Sequence, residues 1–466
     1  MRTIIRGGTL ITESDRFEAD LVLDGERIAA IGSGFTPRKG TGVVDARGMY
    51  VMPGAIDAHV HFQLPFCGTV SSDDFENGTK AAACGGVTTV IDYAIQAKGR
   101  PVMEAVANRK KEADGRVCVD YSLHAGITDW SDASRKDLSR LVDAGIPTVK
   151  MFMIYKDQGW MADDYMLYSA LEETARTGSM IELHAESVFV LDGLVRRHHA
   201  RYRKLGAWGH ALSRPAFVEE EAVQRAVKWA EVTGGRVYIV HVSAGGSADI
   251  IKAGQERGVH VYGETCPQYL LLDESVFKRR DGHLFATCPQ IKTKADAERL
   301  WRAVINGELS LIATDTCTFT KKQKAMWGGD FTKIPFGMPG VETMLPLMHA
   351  FGAAKGRFSL NRLVQLVSAN PARIHGLYPR KGTLSIGADA DVVVFDPRKK
   401  FVVSPGRLQT NCDWSPFNGW TLAGYPAMTF SRGRLVAKNG KFAGEKGWGR
   451  FVKRAPWGGI EGRIRQ

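Results

Sequence analysis

Eight apolar runs, each too continuous for a sheet edge, recur between residues 54 and 315 and leave few folds open. They are 54–60, 86–94, 116–125, 146–154, 178–186, 236–243, 258–265 and 308–315, and each is followed by enough chain for a helix. Strands covered on both faces by crossover helices read as unbroken runs of this kind. Eight such β/α units predict an α/β fold with a closed (β/α)8 TIM-type barrel, whose active site would sit at the carboxyl ends of its strands.

The two ends of the chain have another texture. Residues 1–53 contain TIIRGG, ADLVLDGERIAAIG and GVVDARGMYVMPG, short alternating stretches broken by glycine turns, which indicate a small antiparallel sheet. Strand-like texture returns after residue 375 in KGTLSIGADADVVVFDP. The expectation is therefore a barrel over 54–375 interrupting a small β-sandwich domain assembled from 1–53 and 376–440, with a tail at 441–466. The last twenty residues are rich in glycine and arginine and are expected to fray. GGIEGR at 458–463 looks like a protease-cleavage sequence and carries no weight for the fold.

Composition removes several function classes. At 44% hydrophobic and 24% charged, the 466 residues read as a folded chain. No apolar run approaches the roughly 20 residues of a membrane span, and MRTIIRGGTLITESDRF has polar residues where a signal peptide would be apolar. Seven scattered cysteines, an odd number with no CxxC pair, suit reduced thiols in a cytoplasmic protein. A net charge of +12 raises the question of nucleic acid. The sharpest basic run, 196–204, has one aromatic and no binding module, so a solvated helix face is expected there, with no nucleic-acid or membrane partner.

The chemistry lies where polar residues break the apolar runs. His59 and His61 are two apart at the end of the first run, so both side chains share a face. Lys150 interrupts the fourth, His184 ends the fifth, His241 the sixth and Asp315 the eighth. In one barrel, all six converge on one rim. A lone histidine in an apolar strand is more often a hydrogen-bonded core residue, but six such residues are hard to explain as packing. An unpaired ionised carboxylate or ammonium in a core is very costly. Four imidazoles and a carboxylate form a good donor set for zinc or a similar metal. An ammonium has no lone pair to give. Lys150 would ligate only if carboxylated by carbon dioxide, whose two oxygens could bridge two ions. A buried ion pair with Asp315 is the alternative.

These segments resemble the amidohydrolase superfamily, and within it the hydantoinase and dihydropyrimidinase family of cyclic amidases. The resemblance is carried by GAIDAHVHFQLPFCGTVSSDDF (54–75), TVKMFMIYK (148–156), ELHAES (182–187), HVSAGG (241–246), ETCPQYLLLD (264–273), TDTCTF (314–319), GGDFTKIPFGMPGVE (328–342), SANPARIHGL (368–377) and GTLSIGADADVVVFDP (382–397). It implies two divalent metal ions per subunit, zinc in similar enzymes. His59, His61, Lys150 and Asp315 would surround one ion, and Lys150, His184 and His241 the other, with Lys150 as N6-carboxylysine. No ligand is substituted, unlike in the catalytically silent relatives that keep this fold as scaffolds. Tyr155 matches the family tyrosine that stabilises the oxyanion, and Asp315 the residue that moves the proton. Homo-oligomers, tetramers or dimers, are usual in similar enzymes.

Three positions depart from the family pattern. Cys288 stands where serine is usual and Phe336 where asparagine is usual, both at places where backbone groups hold the substrate amide. Thr316 replaces the histidine or glutamine often found after the aspartate. Leu64, Phe66, Phe152 and Trp160 fall in loops that line the pocket for the ring substituent and imply a small or hydrophobic one. Gln63 stands where a dihydroorotase would carry an arginine, so dihydroorotate is a poor candidate. The resemblance thus implies hydrolysis of 5,6-dihydropyrimidines or 5-substituted hydantoins to N-carbamoyl amino acids. An allantoinase- or imidase-like hydrolase is the alternative, and a non-catalytic scaffold of the same fold is a remote one.

Overall fold

The computed structural model describes residues 2–456, so GGIEGR lies outside the described residues. All eight apolar runs contain barrel strands: β1 (Ala55–Val60), β2 (Val87–Ile95), β3 (Asp120–Gly126), β4 (Thr148–Phe152), β5 (Met180–His184), β6 (Val237–Ile239), β7 (Val261–Thr265) and β8 (Leu311–Ile312). They are neighbours in sequence order in one eight-stranded parallel sheet. A parallel bridge from Val60 to Thr316, with the His61 amide donating to the Thr316 carbonyl at 2.8 Å, brings the end of β1 to the segment just past β8. β1 and β4 are buried at every residue, as two-sided coverage requires.

Local chemistry sets the helices between strands. Asp163 caps the helix Asp164–Thr177 by accepting from the Met166 amide, and Gly178 ends it in the left-handed region at φ 73°. Thr293 and Asp296 form a reciprocal capping box at the start of Lys294–Asn306.

Both ends of the chain join one nine-stranded sheet through the antiparallel pairing of Tyr50–Pro53 with Val392–Val402. The expected sandwich thus takes the form of a single hydrogen-bonded sheet. Register shifts at Ile5/Gly8 and Val394/Phe395 bend it, and Ile5, Leu21, Val51, Val392 and Phe430 share one apolar cluster. The sheet is mixed rather than antiparallel, because Gly42–Asp45 and Tyr50–Pro53 both run parallel to Arg2–Ile11. The connection after residue 32 returns the chain to the start of that strand and so sets its direction.

The segment expected to fray is docked as far as Ala455, whose amide donates to the Gly376 carbonyl at 2.9 Å. Tyr121 at the foot of β3 bridges to Phe451, Val452 is fully buried, and the Arg454 amide donates to the Gly145 carbonyl at 3.0 Å. Glycine and arginine content suggested solvation, but Phe451, Val452 and Arg454 close the amino-terminal end of the barrel. The basic run does lie on a helix, Val188–Tyr202, with Arg196, Arg197 and Arg201 exposed. Among the described residues no helix is long and apolar enough to cross a membrane.

Candidate metal centre and substrate cleft

His59 lies inside β1 and His61 just beyond it, and their Nε2 atoms are 3.2 Å apart. Oδ1 of Asp315 lies 3.2 Å from each of those nitrogens. The segment carrying Asp315 is pinned to β1 by Asp57, which accepts from the Thr314 amide at 3.1 Å and hydroxyl at 2.5 Å. Asp315 and His241 stand past the short strands β8 and β6 rather than on them, at φ 53° and 40°. Tyr155 has φ 65°. Such backbone costs on the order of 1–3 kcal/mol per residue and collects at functional sites.

The donor chemistry fits a cation. Glu264 accepts from the His241 amide at 3.1 Å and the Tyr238 hydroxyl at 2.7 Å, and it also meets Nδ1 of His59. The ring proton therefore belongs on Nδ1, and the Nε2 lone pair faces the Asp315 carboxylate. Lone pairs turned toward one another need a positive charge between them. Edges of 3.2 Å match a tetrahedron with metal bonds of about 2.0–2.1 Å, whose edges are about 3.3 Å. Burial pushes His59 and His241 well below the usual histidine range, which keeps their lone pairs available. Burial would raise the Asp315 carboxyl, but His59, His61 and Lys150 outweigh it and hold it below its ordinary value.

His184 donates through Nε2 to Glu186 at 2.7 Å, so its Nδ1 carries the lone pair. Its ring meets that of His241 edge-on at 4.5 Å, and His241 lies 5.4 Å from His59. Nδ1 of His241 is buried and, among the described residues, has no hydrogen-bond partner. Lys150 is 2% exposed and, among the described residues, forms no ion pair, so the expected alternative of a Lys150–Asp315 pair does not occur. Burial pushes its ammonium down to about 8, against the pull of Glu182 and Asp315.

One cleft is lined by His59, His61, Leu64, Phe66, Lys150, Phe152, Tyr155, Trp160, His184, His241, Cys288, Asp315 and Phe336. Phe66 stacks on Trp160 at 5.8 Å, Phe152 meets Trp160 at 5.4 Å, and Tyr155 stands edge-on to Phe66 at 5.4 Å. Burial, then the Cys288 thiol, hold the Tyr155 hydroxyl well above its ordinary pKa, so it remains a donor. Cys288 is held at its back: its Sγ lies 3.2 Å from Nη1 of Arg214 and 3.3 Å from Glu186. Thr316 and Gln63 do not line the cleft. Thr316 is buried against Thr314, Oγ1 to Oγ1 2.7 Å, and the backbone amide of Gln63 donates to the Asp73 carbonyl at 2.7 Å.

Sequence reading missed a floor beneath Lys150. Glu182 pairs in register with Lys150, and its Oε1 lies 2.8 Å from Nδ1 of His124 and 3.5 Å from Nδ1 of His375. Tyr93 donates to its other oxygen at 3.1 Å, and its ring lies 4.8 Å from both His59 and His61. Arg454 reaches this floor from the end of the chain, donating to Thr148 Oγ1 at 2.6 Å. Tyr93, His124 and Glu182 interrupt apolar runs just as Lys150 does, so the signal was present; Arg454 had none. Cys317 and Gly337 also line the cleft.

A model of the amidohydrolase family matches residues 50–436. The chain is 39% identical to a D-hydantoinase of Geobacillus stearothermophilus over 464 residues, 99% of this chain and 98% of that one. It is 37% identical to a D-hydantoinase of Streptomyces coelicolor, covering 97% and 98%. The crystal structure of dihydropyrimidinase from Brevibacillus agri NCHU1002 superposes with a TM-score of 0.96 at 38% identity, covering 99% of this chain and all of that one.

Proposed function

The chain belongs to the amidohydrolase family, and we propose that it hydrolyses the cyclic amide bond of 5,6-dihydropyrimidines and 5-substituted hydantoins, giving N-carbamoyl amino acids. The observation that carries this reading is the convergence of His59, His61 and Asp315 on one point within a cleft shared with Lys150, His184 and His241. D-hydantoinase and dihydropyrimidinase relatives matching nearly the whole chain support it.

His59, His61, Lys150 and Asp315 would hold one divalent ion, and Lys150, His184 and His241 a second. Zinc suits so imidazole-rich a set. Lys150 joins as its carbon dioxide adduct. The unpaired, buried amine, with its ammonium pushed down to about 8, supports that step. The ions, when bound, supply Lewis acidity that makes hydroxide available near neutral pH. Asp315 accepts the proton of the attacking water at its carboxylate and returns it to the leaving ring nitrogen. Tyr155 donates its hydroxyl proton to the oxygen of the attacked carbonyl as charge develops there. Backbone groups at Cys288 and beside Phe336 hold the cyclic amide. Leu64, Phe66, Phe152 and Trp160 enclose the ring substituent in an apolar, aromatic wall.

A second reading, hydrolysis of another cyclic ureide or an imide, rests on Cys288 and Phe336, which both line the cleft. The seven free thiols support a cytoplasmic setting, and the exposed Tyr165, Phe189 and Phe217 support a homo-oligomer, tetramer or dimer.

The test follows ring opening of 5,6-dihydrouracil, hydantoin and a 5-aryl hydantoin by zinc- and bicarbonate-loaded protein, with chelated protein as control. Chelator-sensitive turnover is expected. No turnover of any of the three by protein holding two metals per chain would refute the reading and move the search to allantoin and imides.

A further inference from the structure

Three segments bring Phe66, Cys288 and Phe336–Gly337 to the cleft, and one short helix, Lys321–Lys324, binds all three. Nε2 of Gln323 donates to Thr69 Oγ1 at 2.9 Å and to the Val70 carbonyl at 2.7 Å, in the hairpin that carries Phe66. Nζ of Lys324 donates to the carbonyls of Ala286 at 2.9 Å and Pro335 at 2.6 Å. Ala286 is two residues before Cys288, and Pro335 is one before Phe336. The Ala286 carbonyl also takes the Gly337 amide at 3.0 Å, so the two loops are joined at one oxygen. At Gly337 the backbone has φ 138°, and a Cβ would meet the Cys317 carbonyl at 2.3 Å, so the loops leave no slack there.

Lys324 is completely buried and, among the described residues, forms no ion pair. Its surroundings are the faces of Phe319 and Trp414, 6.0 and 5.9 Å away, and the thiols of Cys67, Cys317 and Cys412. A buried ammonium without an anion is costly, and a side chain that only filled space there would be apolar. Burial pushes the Lys324 ammonium down to about 7, and the N–H groups of Nζ, charged or neutral, donate to the two carbonyls.

We propose that Lys324 is a positioning residue for substrate recognition: its Nζ ties the Cys288 loop to the Phe336–Gly337 loop and sets the gap in which their backbone groups read the cyclic amide. The inference rests on the hydrolase reading above. Contacts to ring atoms other than the attacked carbonyl and the leaving nitrogen are made alike in the bound substrate and in the transition state, and loss of such uniform binding raises KM while kcat holds.

The experiment compares Lys324→Met and wild-type enzyme, both zinc-loaded, for kcat and KM on hydantoin, for metal content, and for hydrogen exchange at the Gly337 amide. The expected result is a KM raised about tenfold or more with kcat within about threefold, unchanged metal content and faster Gly337 exchange. Wild-type KM together with wild-type exchange would overturn the proposal. If Lys324→Met does not fold, Lys324→Gln, one bond shorter and uncharged, takes its place with the same criteria. If wild-type enzyme with two metals per chain opens no cyclic amide, the hydrolase reading fails, and exchange at Gly337 alone decides whether the tie between the loops exists.

Discussion

Oδ1 of Asp315 lies 3.2 Å from Nε2 of His61, at the carboxylate to which the proposed reaction assigns both a metal and a proton. Asp315→Asn keeps the shape and removes the basic oxygen. Its fold, read by circular dichroism, should be unchanged, while kcat falls by about 10²–10⁴. Wild-type turnover in this variant would remove Asp315 as the proton carrier.

Lys150 is buried and, among the described residues, forms no ion pair. On the proposed reading, Lys150→Ala should lose activity and most of its bound metal, because the residue assigned to both ions is gone. A short carboxylic acid such as propionate presents two oxygens in the same space and should restore part of the activity. Unchanged metal content and activity would refute the bridge.

Most of the barrel was legible because strands buried on both faces must be apolar at both faces, and each of the eight runs contains a strand. The rim was legible for the same reason, since a polar residue in such a run needs an explanation. That signal could not separate layers. Lys150, Glu182 and His124 all interrupt runs, yet Lys150 lines the cleft while the other two form a floor beneath it. The strained turns at His241 and Asp315 left no trace, because positive φ at a non-glycine residue is imposed by its surroundings. Arg454 could not be read at all: its partner Thr148 is 306 residues away, and a terminal segment rich in glycine and arginine looks solvated. Thr316 departs from the family pattern beside Asp315, yet it is buried with its hydroxyl against that of Thr314 at 2.7 Å and does not line the cleft.

Cys288 places its thiol between Arg214, Glu186 and the Tyr155 side of the cleft. Serine at this position is smaller and a stronger hydrogen-bonding group, so Cys288→Ser should change the ratio of kcat/KM values between hydantoin and 5,6-dihydrouracil while both metals stay bound. A variant that is inactive on every substrate with its metals intact would mean that the thiol takes part in the reaction.

Trp160 stacks on Phe66 and tilts against Phe152, closing the apolar side of the cleft. Trp160→Ala removes the shared face of this cluster. For a 5-aryl hydantoin, kcat/KM should fall about 10-fold or more, the equivalent of about 1.4 kcal/mol or more of lost aromatic contact. Unsubstituted hydantoin should be affected much less. Equal losses for both substrates would show that Trp160 supports the loop rather than the substituent.

Glu342 joins the barrel to the outer sheet, accepting from the Gln409 amide at 2.6 Å and the Tyr425 hydroxyl at 3.2 Å. Burial raises its carboxyl from 4.5 to about 8, against those hydrogen bonds. The folded state therefore holds this proton more tightly than the unfolded chain does. The associated stability is present in full below about 4.5 and is lost as pH rises toward 8, where the unfolded chain ionises freely and the folded one does not. Glu342→Gln cannot ionise and keeps both a donor and an acceptor. It should therefore melt at about the same temperature as wild type near pH 5, and be more stable at pH 8.5 by on the order of 2 kcal/mol. Melting curves at the two pH values check this. A variant that is equally destabilised at both would mean that the carboxylate form is the one the fold uses.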